Sequence, residues 1–191
     1  ALTTAQMVAI TPLGLAAICT EQLSALETAA LRVLSATSIK ALPTSQIGAL
    51  TTEQSGALSP TQVAALSTSQ VVALNTDHIT ALNTQQITSL TSVQVSALTT
   101  AQVAAIETQD FAALTTAQIK AISTAGIAAL TTDQIEALTT AQTFNLTTNQ
   151  VAAMEAQDLA ALETQNLAAM GNAQIRALTT DQVAALTTDQ S

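Results

Sequence analysis

The sequence is poor in almost everything from which sites are usually made. It has no tryptophan or tyrosine and two phenylalanines, so aromatic residues make up 1% of its 191 positions. An ordinary globular core uses large aromatics to fill irregular space. The apolar mass here is mostly Ala, Leu, Ile and Val, which suits a narrow and regular stack. Charged residues are 9% of the chain and the net charge is −9. The four cations, Arg32, Lys40, Lys120 and Arg176, are scattered, which excludes the clustered basic footprint of a nucleic-acid binder. The acidic balance argues against an anionic lipid surface and favours solubility through self-repulsion. A single cysteine, Cys19, excludes an internal disulfide framework and a multi-cysteine metal site. The longest uninterrupted apolar run, Leu13 to Cys19, is seven residues with a glycine inside it. A membrane-spanning helix needs about 20, so no membrane insertion is expected.

What remains is one string written over and over. Every eighth residue from Leu2 to Leu186 is Leu, Ile or Met, 24 positions without an insertion or deletion. Loops tolerate length changes, so a fixed register means that each octad must match its neighbours in space. Five residues after each Leu runs a second apolar column: Met7, Leu15, Leu23, Leu31, Ile39, Ile47 and, after Ser55, Val63 onward to Val183. It is interrupted again at Thr143, where the adjacent Phe144 is expected to fill the space. The residue before each Leu is nearly always Ala, which predicts a close approach of two backbones.

Eight residues of continuous α-helix rotate by about 800°, a drift of roughly 80° per repeat that would wind the apolar stripe around the helix. Val-Ala-Ala-Leu does not alternate as a strand would, although Thr and Val leave a β-solenoid as the alternative. The residue after each Leu favours a break between short helices. It is Thr, Ser or Asn in most octads, the residues whose side-chain oxygen accepts from a free N–H of the first helical turn. Gln follows three residues later, completing a capping box, and the apolar residues around the pair make a hydrophobic staple. Pro12 and Pro60 fall at the first helical position, where proline is best tolerated. Twelve of thirteen acids lie at the cap or in the next three positions, and all four cations lie two residues before a Leu. Both placements suit the helix dipole. The expectation is an all-α solenoid over residues 1–191, about 24 octads in one domain. Each octad is a helix of about one and a half turns, and the helices coil into a superhelix. Helices this short are held only by stacking. Because the sequence starts and stops inside an octad, it is expected to be a piece of a longer array.

Candidate sites reduce to the repeat. His78 stands where other octads have Gln and is expected to cap its own helix. Cys19 stands in a cap position with no histidine nearby to activate it. Glu107–Asp110 and Glu155–Asp158 resemble catalytic carboxylate pairs, but they are the cap and third helical positions of their octads. Asn145-Leu146-Thr147 matches a glycosylation sequon. Gly14 and Gly171 are isolated and make no phosphate-binding loop. No catalytic, cofactor or metal constellation is found, and an enzyme is not expected. The second Thr of each octad, as in Thr100, Thr116, Thr132, Thr140 and Thr148, is expected to face outward. Such a lattice of hydroxyls and methyls could take ice, a glycan or another protein. The open ends of the solenoid also offer a route to self-association.

Octads such as Leu-Thr-Thr-Asp-Gln-Ile-Glu-Ala (130–137) and Leu-Thr-Thr-Ala-Gln-Val-Ala-Ala (98–105) resemble the tandem octapeptide arrays of long bacterial surface or secreted repeat proteins. That resemblance covers the whole chain. It implies an extracellular or cell-surface, adhesin-like setting. The function expected is a stalk, spacer or adhesion surface; the alternative is a binding module that uses the Thr lattice.

Overall fold

In the computed structural model, which describes residues 4–190, short helices follow one another from Thr4 to Ala184 and a 3₁₀ turn closes the series at Thr188–Gln190. Among the described residues there are 23 α-helices and no strand. The all-α reading holds and the β-solenoid does not. Each helix is four to six residues long.

The octad around Thr100–Ala104 shows why. Thr99 is extended, its hydroxyl accepts from the Gln102 N–H at 3.2 Å, and Gln102 Oε1 accepts from the Thr99 N–H at 2.9 Å. These reciprocal bonds satisfy two donors that a helix start leaves free. The helix then closes through Ala105, still right-handed at φ −84°, with the Ile106 N–H donating to the Val103 carbonyl at 3.2 Å. In octads such as that of Thr52–Ala57 the following Leu is extended, Leu58 having φ −59° and ψ 140°. The Leu and the next cap residue are thus two extended residues that swing the chain into the next helix. No described residue has a positive φ. Many helices end on a left-handed glycine; these do not, and the whole chain manages with five glycines and three prolines.

Contacts divide the chain into two units, Ala1–Ala97 and Leu98–Ser191. In the first, Ala36–Lys40 packs on Pro60–Ala65, and Pro60–Ala65 on Thr84–Ser89. In the second, Thr116–Ala121 packs on Thr140–Asn145, and Ala156–Ala161 on Thr180–Ala184. Within each unit a helix therefore lies against the one three octads away, the next turn of a superhelix. The two apolar columns fill the interior of each unit, with Ile47, Val63 and Val71 fully buried in the first and Ile119, Ile135 and Val151 in the second. Burial of one such side chain contributes about 1.5–3 kcal/mol, which a helix of five residues cannot obtain alone. Near the end of the second unit Ile175 and Val183 are 45% and 53% exposed. The second apolar column is the one that a following turn covers.

A β-carbon added at Gly48 or Gly56 would lie 3.0 Å from the Ala73 carbonyl or 2.8 Å from the Ala81 carbonyl. Both carbonyls belong to the Ala column, so close approach does occur there, against the residue two before a Leu of the preceding turn. Arg32 occupies the same position in its octad and donates from Nε to the Ala57 carbonyl at 3.0 Å. The expectation for Phe144 fails. Phe144 is 60% exposed, while Thr143 is fully buried with its hydroxyl unpartnered. One residue along a helix is a rotation of about 100°, which carries residue 144 away from the column instead of into it.

Candidate functional site

The most heavily used side chain in the chain is the glutamine three residues after each cap. Gln54, Gln62, Gln70, Gln86 and Gln94 are buried in the first unit, and Gln134, Gln142, Gln150, Gln174 and Gln182 in the second. The capping box accounts for only one end of it. Gln54 Oε1 accepts from the Thr51 N–H at 3.0 Å, and Nε2 donates to the Leu23 and Leu26 carbonyls at 2.9 and 2.7 Å, 31 and 28 residues earlier. Gln62 does the same to Leu31 and Leu34, and Gln86 to Ser55 and Leu58. In the second unit Gln150 reaches Ile119 and Ile122, and Gln182 reaches Val151 and Met154.

The two acceptors differ: the Leu23 carbonyl already takes the Leu26 N–H at 3.1 Å, so Gln54 uses its second lone pair, whereas the Leu26 carbonyl belongs to an extended residue between helices. A carboxamide has one acceptor and two donor hydrogens, so one Gln ties the start of its own helix to the end of a helix one turn back. Spans of 28 and 31 residues are between three and four octads, so each rung joins one superhelical turn to the turn before it. A made hydrogen bond is worth about 1 kcal/mol net, and a buried polar group left unpaired costs about 1–3 kcal/mol. A signal for this ladder was present in the sequence. Glu serves a capping box as well as Gln does, yet no octad carries Glu at that position. Only a need for the N–H₂ end excludes it.

Substitutions in the column follow the same geometry. His78 is buried and takes both roles: Nδ1 accepts from the Asn75 N–H at 3.2 Å and Nε2 lies 2.6 Å from the Leu50 carbonyl. An N–H donor at Nδ1 and an acceptor at Nε2 assign the proton to Nε2 of a neutral ring. Asn166, shorter by one methylene, still donates to the Leu138 carbonyl at 2.6 Å. Gln46 donates to the Ile18 carbonyl, but its Oε1 has no partner, because the cap residue is Pro43 and has no N–H.

The cap positions filled by Glu behave differently from those filled by Thr. Glu27, Glu107, Glu155 and Glu163 make no cap bond with their side chains. Glu155 and Glu163 instead accept from Gln157 and Gln165 at 2.8 and 2.7 Å. Glu107–Asp110 and Glu155–Asp158 are cap and third helical positions as read, with both Asp side chains buried. Burial, and then the Glu155 charge, hold the Asp158 carboxyl above its ordinary value. Cys19 is an exposed free thiol whose N–H donates to Gln22 Oε1 at 3.2 Å. Asn145 Nδ2 donates to the Ala141 carbonyl at 2.8 Å, so the sequon amide is engaged by its own helix.

The surface threonines each open a helix. Thr100, Thr132, Thr140 and Thr148 are exposed and Thr116 is half-buried. The Thr140 hydroxyl donates to Asn166 Oδ1 at 2.9 Å. Among the described residues no three His, Cys, Asp or Glu side chains are grouped as a metal would require. No helix among them is long and apolar enough to cross a membrane.

The model of a family described as the ALTTAQ repeat matches residues 15–52, 53–84, 103–140 and 159–191, about three quarters of the chain. The chain belongs to the ALTTAQ repeat family. No curated protein matches it. The six letters of the ALTTAQ motif stand unaltered at residues 113–118, and the structure gives each a place. Ala113 closes one helix, Leu114 is core, Thr115 caps, Thr116 and Ala117 begin the next helix, and Gln118 closes the box. The motif of the ALTTAQ repeat is thus the joint between helices more than a helix itself.

Proposed function

We propose that this ALTTAQ repeat array is a structural and interaction module, an extended stalk, spacer or adhesion surface within a larger exported bacterial protein. One observation carries the reading: the buried polar chemistry of octad after octad is committed to the adjacent turn through the Gln carboxamide. Such a device makes length. The resemblance of the octads to bacterial surface arrays supports the exported setting. A spacer gains a constant increment per repeat. Small-angle scattering on the 191-residue chain and on arrays lengthened by whole octads tests this. The maximum dimension should grow by equal steps, and a dimension that stays level as octads are added overturns the reading. For export, the array should be cleaved by protease added to intact cells; full protection overturns that part.

A further inference from the structure

Three ionisable side chains are buried among the described residues: His78, Asp110 and Asp158. Asp158, 4% exposed on the helix Ala156–Ala161, stands where the ladder has Gln. From Ile106 to Leu162 the carbonyl of each residue in the Leu column accepts from the side chain 28 residues later, through Gln134, Gln142, Gln150, Asn166, Gln174, Gln182 and Gln190. Leu130, whose counterpart is Asp158, is the exception. Asn166 shows what a side chain of this length can do there: its Nδ2 comes within 2.6 Å of the Leu138 carbonyl. Aspartate has the same shape with an oxygen in place of that nitrogen. Ionised, it sets lone pairs against the lone pairs of a carbonyl. Protonated, it has an O–H to donate.

We propose that Asp158 is a proton-operated tie between successive turns of the second unit. On taking up one proton from solvent, its carboxyl donates to the Leu130 carbonyl and closes the rung; on releasing it, the rung opens.

The surroundings favour the proton. Glu155 lies at the cap of the same helix. Of the two helices packed on it, Thr132–Glu136 carries Asp133 and Glu136, and Thr180–Ala184 carries Asp181. No cation lies on any of the three helices. Burial first, and Glu155 second, raise the affinity of Asp158 for a proton, against a lowering hydrogen bond from the Glu155 backbone. A carboxyl that holds its proton more tightly in the folded state stabilises that state at low pH. This contribution is lost as pH rises from the ordinary aspartate value through the raised one.

Urea unfolding of the full chain and of Asp158→Asn, followed from about pH 4.5 to 7.5, tests the tie. The other carboxylates cancel in the difference between the two proteins. Asp158→Asn should be the more stable at neutral pH, by about fivefold in the unfolding constant, with the gap closing toward acid. Asp133→Asn, at an exposed position, should reproduce neither the gain nor its pH dependence. Amide exchange over residues 127–134, corrected for intrinsic rates, should slow on acidification in the wild type and not in Asp158→Asn. A difference that is independent of pH, or exchange that responds equally in both proteins, overturns the proposal.

Discussion

Gln46 and Pro43 show how one residue can satisfy the backbone and defeat a side chain. Proline enters the cap position at no conformational cost, with φ −57° and ψ 152°, but it offers neither the N–H that Gln46 Oε1 needs nor a hydroxyl for the Gln46 N–H. Pro43→Thr should supply both. The cap and the satisfied oxygen together contribute about 1–2 kcal/mol, and the unfolded chain regains freedom worth about 0.4–1 kcal/mol when the proline is removed. The expected net gain is about 1 kcal/mol, read as a higher urea midpoint at unchanged slope. A midpoint that stays put or falls would show that Gln46 Oε1 is not the weak point. Pro43 was legible in the sequence as a misplaced cap. Its consequence was not, because a capping-box Gln on an exposed helix would simply turn to water, and only the burial of this column makes the missing N–H costly.

At the scale of the element, the helix starts were written in the residues. Pro12 and Pro60 do open their helices, and the Thr, Ser and Asn caps bond as their chemistry requires. The Glu caps stand where the sequence puts them but make no side-chain cap bond. Glu is a methylene longer than Asp and is not among the residues that cap well. In all four of these octads the third helical residue is short (Ala30, Asp110, Asp158 or Asn166) and the next is Leu or Phe instead of Val or Ile. The Gln rung itself can be tested at His78, which makes both of its bonds. His78→Gln should stay within about 0.5 kcal/mol of the wild type, while His78→Ala, leaving the Asn75 N–H and the Leu50 carbonyl without their partner, should cost about 2–3 kcal/mol. Thermal or urea unfolding decides between them. Equal losses in the two variants would mean that the ring is held for its bulk and not for its two nitrogens.

For the molecule as a whole, the closure of each superhelical turn was hidden from the sequence. A period of eight reads the same whether three, four or five octads complete a turn. The number is set by the bend at each pair of extended residues, which no single side chain announces. The ladder has a consequence for length. Within each unit the complete Gln rungs repeat the same spans of 28 and 31 residues, so whole octads are interchangeable and parts of octads are not. Deleting residues 131–138 should preserve helical circular dichroism per residue and cooperative unfolding. Deleting 131–134 should place an apolar residue where a cap belongs and cost several buried side chains, at about 1.5–3 kcal/mol each. Similar stability in the two deletions would refute a register fixed by the rungs.

The lack of left-handed residues bears on how such a sequence can change over time. A fold that turns on obligatory glycines carries codons that cannot drift. Here no described residue needs a left-handed backbone, and identity is set by what a side chain must fill or bond and, at Gly48 and Gly56, by the room a neighbouring carbonyl leaves. Cys19, Pro43, His78 and Asp158 are each a local flaw or variation in one rung, with the path of the chain unaltered around them. Mutation can therefore wander through one octad while its neighbours hold the register. Unequal recombination in register can add or remove whole octads with no left-handed glycine to preserve at the junction.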